Sequence, residues 1–166
     1  ELRQLPHKLS FFKHRSPLIA DLCWWNEFLT VYNGVSLLRF FPWIDTPVRF
    51  CTDVCIFGIG VFFDGRFFHS SYPPFIDTAS LSIASLEMLA VIVSCKLWSK
   101  DLHGQRILVR TDNQNTKLAI NTGRLRVPFV QPCLHEPWFY ACHFDFELRA
   151  LYIPGHQNSI ADSLSR

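Results

Sequence analysis

The chain has 166 residues, of which 49% are hydrophobic and 18% are charged, and its net charge is +2. This composition supports one packed domain with a short additional segment, and it argues against intrinsic disorder. The small positive charge permits nucleic-acid binding without indicating it. No apolar run approaches the roughly 18 residues that a bilayer-spanning helix needs, so we expect no membrane partner.

The N-terminal residues and the cysteines indicate the cellular compartment of the protein. The first eight residues include Glu1, Arg3, His7 and Lys8 and contain no apolar signal-peptide region. The six cysteines form no CxxC pair, which disfavours a zinc site or a disulfide framework. The better-supported interpretation is that they are small buried side chains in a protein from a reducing compartment. We therefore expect an intracellular protein, cytoplasmic or nuclear.

The first 47 residues predict one helix and a connector. Ser16-Pro17 is typical of a helix start, because serine caps helices and proline fits the first helical position. Asn33-Gly34 predicts the helix end. Residues 41–47 contain two prolines and predict an extended connector. We place the domain boundary there, with residues 1–45 as one segment and 46–166 as the main domain. The apolar positions at helical spacing are Leu18, Leu22, Trp25 and Leu29.

The rest of the chain predicts alternating strands and helices. Asp64-Gly65 is a strong hairpin signal, and Gly58 and Gly60 predict a bend before the second strand. The predicted strands are residues 48–56, 59–63, 66–70, 106–110 and 146–153. The predicted helices are residues 80–99, 113–121, 133–144 and 159–165; the first of them has the apolar stripe Leu86, Leu89, Ala90, Val93 and Leu97. This order predicts an α/β fold, in which a five-stranded mixed sheet, antiparallel and then parallel, is flanked by helices.

Four carboxylates occupy unusual positions in these elements. Asp53 lies in the middle of a strand, although a water-facing carboxylate on an edge strand is an alternative. Glu87 is the lone charge in an apolar helix, where burial would be costly; a favourable charge near the helix N-terminus is the alternative. Asp112 ends a strand, where ligands gather in α/β sheets, or it caps the next helix. Asp162 lies three residues after Ser159, so these two could form a capping box.

Together, these residues and the sequences around them resemble the ribonuclease H superfamily. The matching segments are Thr52-Asp53 with Gly58-x-Gly60, Leu86-Glu87-x-Leu89-Ala90-Val91, Thr111-Asp112-Asn113 and Ile153-Pro154-Gly155-x-x-Asn158-x-x-Ala161-Asp162-x-Leu164-Ser165-Arg166. The last segment resembles the closing motif of ribonuclease H domains in retrotransposon polyproteins. Upstream, Asp21-Leu22-x-Trp24-Trp25 with Asn33-Gly34 resembles the link between polymerase and ribonuclease H in DIRS/Ngaro-like retroelements, in which Trp24, Trp25 and Trp43 would face a partner; a core helix is the alternative.

The resemblance implies an activity, a cofactor and partners. It implies endonucleolytic hydrolysis of the RNA strand of RNA–DNA hybrids during reverse transcription, with two Mg²⁺ ions that Mn²⁺ can replace. The implied partners are the hybrid and the polymerase domain of the same reverse transcriptase. The implied ligand set is Asp53 for both ions, Glu87 and Asp112 for one ion, and Asp162 for the other.

Further residues are expected to assist the reaction. His156 is a candidate for proton transfer or product release, and a solvated loop histidine is the alternative. Expected substrate contacts come from backbone amides near the first aspartate and from polar side chains near the other carboxylates. These residues are Val54, Cys55, Asn113, Gln114 and Asn158. The competing functions are a catalytically silent tether or scaffold domain of a polymerase, which the four intact carboxylates disfavour, and a transposase or integrase, which the closing motif disfavours.

Overall fold

The computed structural model describes residues 16–32, 34, 50–124, 127 and 130–166. The chain divides into two compact units, Glu1–Tyr32 and Asn33–Arg166. The boundary expected between residues 45 and 46, the connector at residues 41–47 and Trp43 lie outside the described residues. Within the described part of the chain, every helix is too short or too polar to span a bilayer.

The first unit contains helix α1, Ser16–Val31, as the sequence predicted. The predicted apolar stripe, however, is largely exposed: Leu22 is 59%, Trp25 49% and Leu29 61% accessible. The buried side chain is instead Phe28, which is 2% accessible and stacks on Trp24 with 4.7 Å between the ring centroids. Helical spacing located the helix correctly, but it did not identify the face that is buried.

The second unit is built on a five-stranded sheet. Its strands are β1 Phe50–Val54, β2 Gly58–Phe63, β3 Arg66–Ser71, β4 Arg106–Thr111 and β5 Glu147–Tyr152. They lie in the order β3-β2-β1-β4-β5, so β1 is the central strand. β1, β2 and β3 pair antiparallel, whereas β4 pairs parallel with both β1 and β5. The predicted mixed sheet is therefore confirmed.

The β2–β3 connection shows why the hairpin was predictable. Asp64 and Gly65 both have positive φ, at 46° and 81°, as expected for a two-residue turn whose twist matches that of the strands. Gly58 and Gly60 do not form the predicted bend, because both lie within β2. The turn before β2 is closed instead by a hydrogen bond from the Cys55 amide to the Gly58 carbonyl, at 3.0 Å.

Five helices complete the described part of this unit: α2 Ile83–Trp98, α3 Gln114–Thr122, α4 Val130–Cys133, α5 His135–His143 and α6 Ser159–Ser165. A 3-10 turn, Gly155–Gln157, precedes α6. The helix expected at residues 133–144 is α5, His135–His143. The short helix α4, Val130–Cys133, precedes it and was not predicted.

The helices cover the sheet on both faces. Phe50 of β1 packs against Trp98 of α2, with 6.1 Å between the ring centroids. Asp53 lies on the other face of β1, since side chains alternate along a strand, and there it contacts Ser165 of α6. Helices α3, α4 and α5 pack against α2, so the main hydrophobic core lies on the α2 face.

The buried face of α2 differs from the predicted stripe. Leu86 and Ala90 are fully buried, but Leu97 is 53% exposed. The buried residues also include Glu87, Val91, Ser94, Cys95 and Trp98. Because α2 packs against both the sheet and neighbouring helices, its buried face is wider than one stripe and includes Glu87. The lone carboxylate of this helix therefore points into the protein interior.

Candidate metal centre

Asp53 lies near the carboxyl end of the central strand. It is 7% accessible, and its Oδ2 atom accepts a hydrogen bond of 2.7 Å from the Ser165 hydroxyl. The edge-strand alternative is wrong, because β1 has a neighbour on each side. Burial raises the pKa of Asp53 from 3.8 to about 6; the Ser165 bond opposes this rise, and the charges of Asp112 and Asp162 add to it.

Two glycines of β2 let α6 pack closely against the sheet, next to Asp53 of β1. A Cβ atom on Gly60, which pairs with Asp53 across the sheet, would collide with the Ala161 carbonyl and the Ser165 amide. A Cβ atom on Gly58 would lie 2.9 Å from the Ser165 carbonyl. The Gly58-x-Gly60 motif is therefore explained by close helix–sheet packing, and this packing is what brings the Ser165 hydroxyl to Asp53.

Glu87 lies on the buried face of α2. It is 2% accessible, so a helix-terminal charge in solvent does not describe it. Burial raises its pKa well above the ordinary value, and the charges of Asp53 and Asp112 raise it further, against a hydrogen bond with the Thr111 side chain. Its Oε2 atom is buried and has no hydrogen-bond partner among the residues described. Such an orphaned oxygen is costly, and a cation would satisfy it.

Asp112 directly follows β4 and is half-buried. The helix-cap alternative is wrong, because Asn113 caps α3: its side-chain oxygen accepts hydrogen bonds from the amides of Asn115 and Thr116, at 3.0 and 3.1 Å. The Asp112 carboxylate is thus not used for capping. It faces the start of the 3-10 turn, where a Cβ atom on Gly155 would lie 3.2 Å from its Oδ2 atom.

These three carboxylates form one group that could hold a metal ion. One oxygen each from Asp53, Glu87 and Asp112 lies within 4.8 Å of the other two. Negative charges this close repel one another, and for Asp53 and Glu87 this repulsion adds to the rise in pKa that burial causes. Hard divalent cations such as Mg²⁺ prefer carboxylate oxygens. The donor set and the orphaned Glu87 oxygen therefore fit a divalent cation.

Asp162 lies near this group without belonging to it. Its Oδ1 atom accepts hydrogen bonds from Nη2 and Nε of Arg166, at 2.7 and 3.0 Å. Its charge still contributes to the raised pKa of Asp53. The capping-box alternative is wrong, because Ser159 is the first residue of α6 and Asn158 precedes it as the cap position. In this conformation Asp162 forms an ion pair with Arg166.

The β5–α6 loop carries His156 and Asn158. His156 is exposed on the 3-10 turn, and its catalytic role stays a prediction. Asn158 is 2% accessible, and its side-chain amide donates a hydrogen bond of 2.9 Å to the Thr52 carbonyl, beside Asp53. Asn158 thus joins this loop to the central strand. Its role in substrate binding also stays a prediction.

The other four residues that we expect to contact substrate lie in β1, in the turn before β2 and at the start of α3. The Val54 side chain is part of the hydrophobic core, and Cys55 contributes its amide to the turn before β2. The Cys55 thiol donates to the Ser165 carbonyl at 2.8 Å. Asn113 caps α3, and Gln114 is exposed in the first turn of that helix. Whether these groups bind substrate stays a prediction.

Sequence reasoning missed several residues that shape this site. Ser165 and Arg166 belong to the closing motif, but nothing in that motif indicated that they bond to Asp53 and Asp162. Thr111, next to Asp112, was also not recognised as a partner of Glu87. Tyr72 was missed as well, although its phenol interacts electrostatically with Asp53 and Glu87. It lies in a loop without a motif, so the sequence held no signal for it.

Comparisons with known proteins bear on the fold. No protein-family model matches this sequence, and a search of curated proteins finds no match. Among solved structures, the chain is similar to ribonuclease H1 from the halophilic archaeon Halobacterium salinarum NRC-1, with a TM-score of 0.57 and 15% sequence identity. The alignment covers 70% of this chain and 92% of that protein. The second unit of this chain therefore has the ribonuclease H fold.

Proposed function

We propose that this chain is a metal-dependent ribonuclease H, which cuts the RNA strand of RNA–DNA hybrids internally. The observation that carries the proposal is the convergence of Asp53, Glu87 and Asp112 within 4.8 Å on a ribonuclease H fold. The fold alone would not carry it, because one fold can host many functions. The site adds a buried anionic cluster that favours hydrolysis of a phosphodiester over a purely structural role.

Two Mg²⁺ ions are the proposed cofactors, and Mn²⁺ is expected to replace them. Asp53, Glu87 and Asp112 would hold one ion, and Asp53 with Asp162 the other. When bound, such ions activate water and neutralise charge on the leaving oxygen. Asp162 would have to leave Arg166 to act as a ligand, and Arg166 is then free to pair with a phosphate of the substrate.

The protein itself would supply rigid placement of these ligands. Ser165 fixes the Asp53 carboxylate, and the hydrogen bond with Thr111 constrains Glu87. Asn113 holds the start of α3 next to Asp112. We propose His156 as a group that accepts or delivers a proton near the site, because the 3-10 turn that carries it begins beside Asp112. Val54, Cys55, Asn113, Gln114 and Asn158 remain the proposed substrate contacts.

We further propose that the domain works within the reverse transcriptase of a retroelement, next to a polymerase domain. The closing motif and the exposed Trp25 of α1 support this context. The six cysteines, which form no CxxC pair in the sequence, support the proposed intracellular location. A tether without catalytic activity would not need three carboxylates that repel one another, so that alternative has less support.

The test is cleavage of an internally labelled RNA–DNA hybrid by the full chain with Mg²⁺ or Mn²⁺, beside an EDTA control. Duplex RNA, duplex DNA and single-stranded RNA serve as competing substrates. We expect internal cuts in the RNA strand of the hybrid alone, and we expect Asp112→Asn to abolish them. Asp101→Asn is the matched control, because this exposed carboxylate pairs with Arg66 outside the cluster. Cleavage that survives Asp112→Asn would reject the site, and a folded chain without metal-dependent cleavage would favour the silent tether.

A further inference from the structure

Tyr72 places a phenol beside the carboxylate cluster. It directly follows β3, and its ring packs against the hydrophobic core. Its hydroxyl oxygen is buried and has no hydrogen-bond partner in the part of the chain that the structure describes. A buried hydroxyl without a partner is rare and costs free energy. A phenylalanine would pack the same ring without that cost, so the hydroxyl itself calls for an explanation.

The surroundings of this hydroxyl are anionic. Burial raises the pKa of Tyr72 above its ordinary value, and the charges of Cys55, Glu87 and Asp53 raise it further. The phenol therefore stays protonated at neutral pH, and it can act as a hydrogen-bond donor. Glu87, in the same neighbourhood, has a buried acceptor oxygen that also lacks a partner in the described residues. An unused donor and an unused acceptor thus lie close to the cluster.

We propose that Tyr72 is a positioning residue of the metal centre, whose hydroxyl donates a hydrogen bond to the oxygen atoms around a bound divalent cation and thereby holds the Glu87 carboxylate in place. This inference rests on the proposed metal-dependent function. Binding of the cation would bring carboxylate or water oxygens within reach of the phenol, so that both buried groups gain partners in the same step. Tyr72 acts through Glu87 and does not touch the scissile bond.

The chain offers a matched control for this idea. Tyr140 of α5 is also a partly buried tyrosine that packs against the same core. Its electrostatic neighbours are Glu136 and Cys95, and none of the three clustered carboxylates is among them. Tyr72→Phe and Tyr140→Phe therefore remove the same atom from two tyrosines that pack against the same core. Only the first of these hydroxyls lies near the proposed cation.

The experiment is a titration of the full chain with Mn²⁺, monitored by calorimetry and by the electron paramagnetic resonance signal of free Mn²⁺. We expect Tyr72→Phe to weaken Mn²⁺ binding by about 10-fold to 100-fold, the usual effect of losing a hydrogen bond to a metal ligand. Tyr140→Phe should bind Mn²⁺ like the wild type. In EDTA, Tyr72→Phe should unfold at the same temperature as the wild type or a higher one, because the Tyr72 hydroxyl has no hydrogen-bond partner among the described residues of the metal-free protein.

The outcomes separate this inference from the function on which it rests. Equal Mn²⁺ affinity in Tyr72→Phe and wild type would overturn the inference and leave the proposed nuclease intact. A lower unfolding temperature of Tyr72→Phe in EDTA would also overturn it, since the hydroxyl would then support the metal-free fold. Absence of Mn²⁺ binding by the folded wild type would overturn both. In cleavage assays, we expect Tyr72→Phe to need more Mg²⁺ for half-maximal rate, with an unchanged KM for the hybrid.

Discussion

Replacing Asp53 by asparagine should have opposite effects on the stability of the metal-free protein and on metal-dependent cleavage. The substitution keeps the size of the side chain and an oxygen that can accept the Ser165 hydrogen bond, but it removes the negative charge. In the metal-free protein that charge is unfavourable, because it is buried and lies near Asp112 and Asp162. We predict that Asp53→Asn abolishes metal-dependent cleavage and raises the free energy of unfolding in EDTA.

The magnitude follows from the pKa of Asp53. A pKa raised from 3.8 in the unfolded chain to about 6 in the folded one means that ionised Asp53 lowers the free energy of unfolding by about 3 kcal/mol at pH 7. This cost is absent below pH 3.8, where both states are protonated, and it grows until the pH exceeds about 6. We therefore expect Asp53→Asn to gain about 2–3 kcal/mol at pH 7, and progressively less as the pH falls towards 4.

Thermal and urea unfolding of both proteins in EDTA, at several values of pH, measures this difference. A gain of that size corresponds to a Tm higher by roughly 4–12 °C. Adding Mn²⁺ should raise the Tm of the wild type, since a ligand that binds only the folded state stabilises it, and should leave Asp53→Asn unchanged. Asp101→Asn, an exposed carboxylate, should show neither effect. A variant less stable than wild type at pH 7 in EDTA would refute the electrostatic reasoning, and retained cleavage would refute the site.

Three further substitutions test other parts of the site. Glu87→Gln should also abolish cleavage and stabilise the metal-free protein at neutral pH, because burial raises the pKa of Glu87 well above its ordinary value; unfolding in EDTA measures this. Gly60→Ala should destabilise the protein by about 1–3 kcal/mol, because the added Cβ atom would collide with the backbone of α6 at Ala161. Urea unfolding measures this loss, and an unchanged free energy of unfolding would contradict the close packing of α6 on β2. Arg166→Gln should strengthen Mn²⁺ binding by freeing Asp162 from its ion pair, which calorimetry detects; weaker binding would count against a ligand role for Asp162.

The elements that the sequence predicted well are those that local chemistry determines. The β2–β3 turn needs two residues with positive φ, and Asp64-Gly65 is one of the few pairs that adopt them easily. The position of Asp112 at the end of β4 followed from a short apolar run just before a predicted helix. The order of strands and helices then determined the mixed sheet, because short connections leave few arrangements of these elements.

The errors arose where burial depends on tertiary packing. Leu97 of α2 and Leu22 of α1 fit an apolar helical stripe, yet both are more than half exposed. The periodicity of a sequence identifies the apolar face of a helix, whereas burial depends on which neighbouring elements pack against each side of it. Glu87 shows the same effect in reverse: its helix packs on two sides, so a carboxylate lies within the buried face. The ion pair of Asp162 with Arg166 depends on rotamers that no sequence pattern specifies.

The closing motif was the most specific part of the sequence, and the structure gives a physical reason. Asn158 donates to the Thr52 carbonyl of the central strand, Ala161 packs against Gly60, and Ser165 donates to Asp53. The first contact needs the Asn158 amide, the last needs the Ser165 hydroxyl, and the fully buried side chain of Ala161 leaves no room for a larger residue. Each contact joins residues more than 100 positions apart in the sequence. The motif therefore encodes how α6 docks beside Asp53. A larger residue at position 161 should displace the helix and release Asp53 from Ser165, even if all four carboxylates were retained.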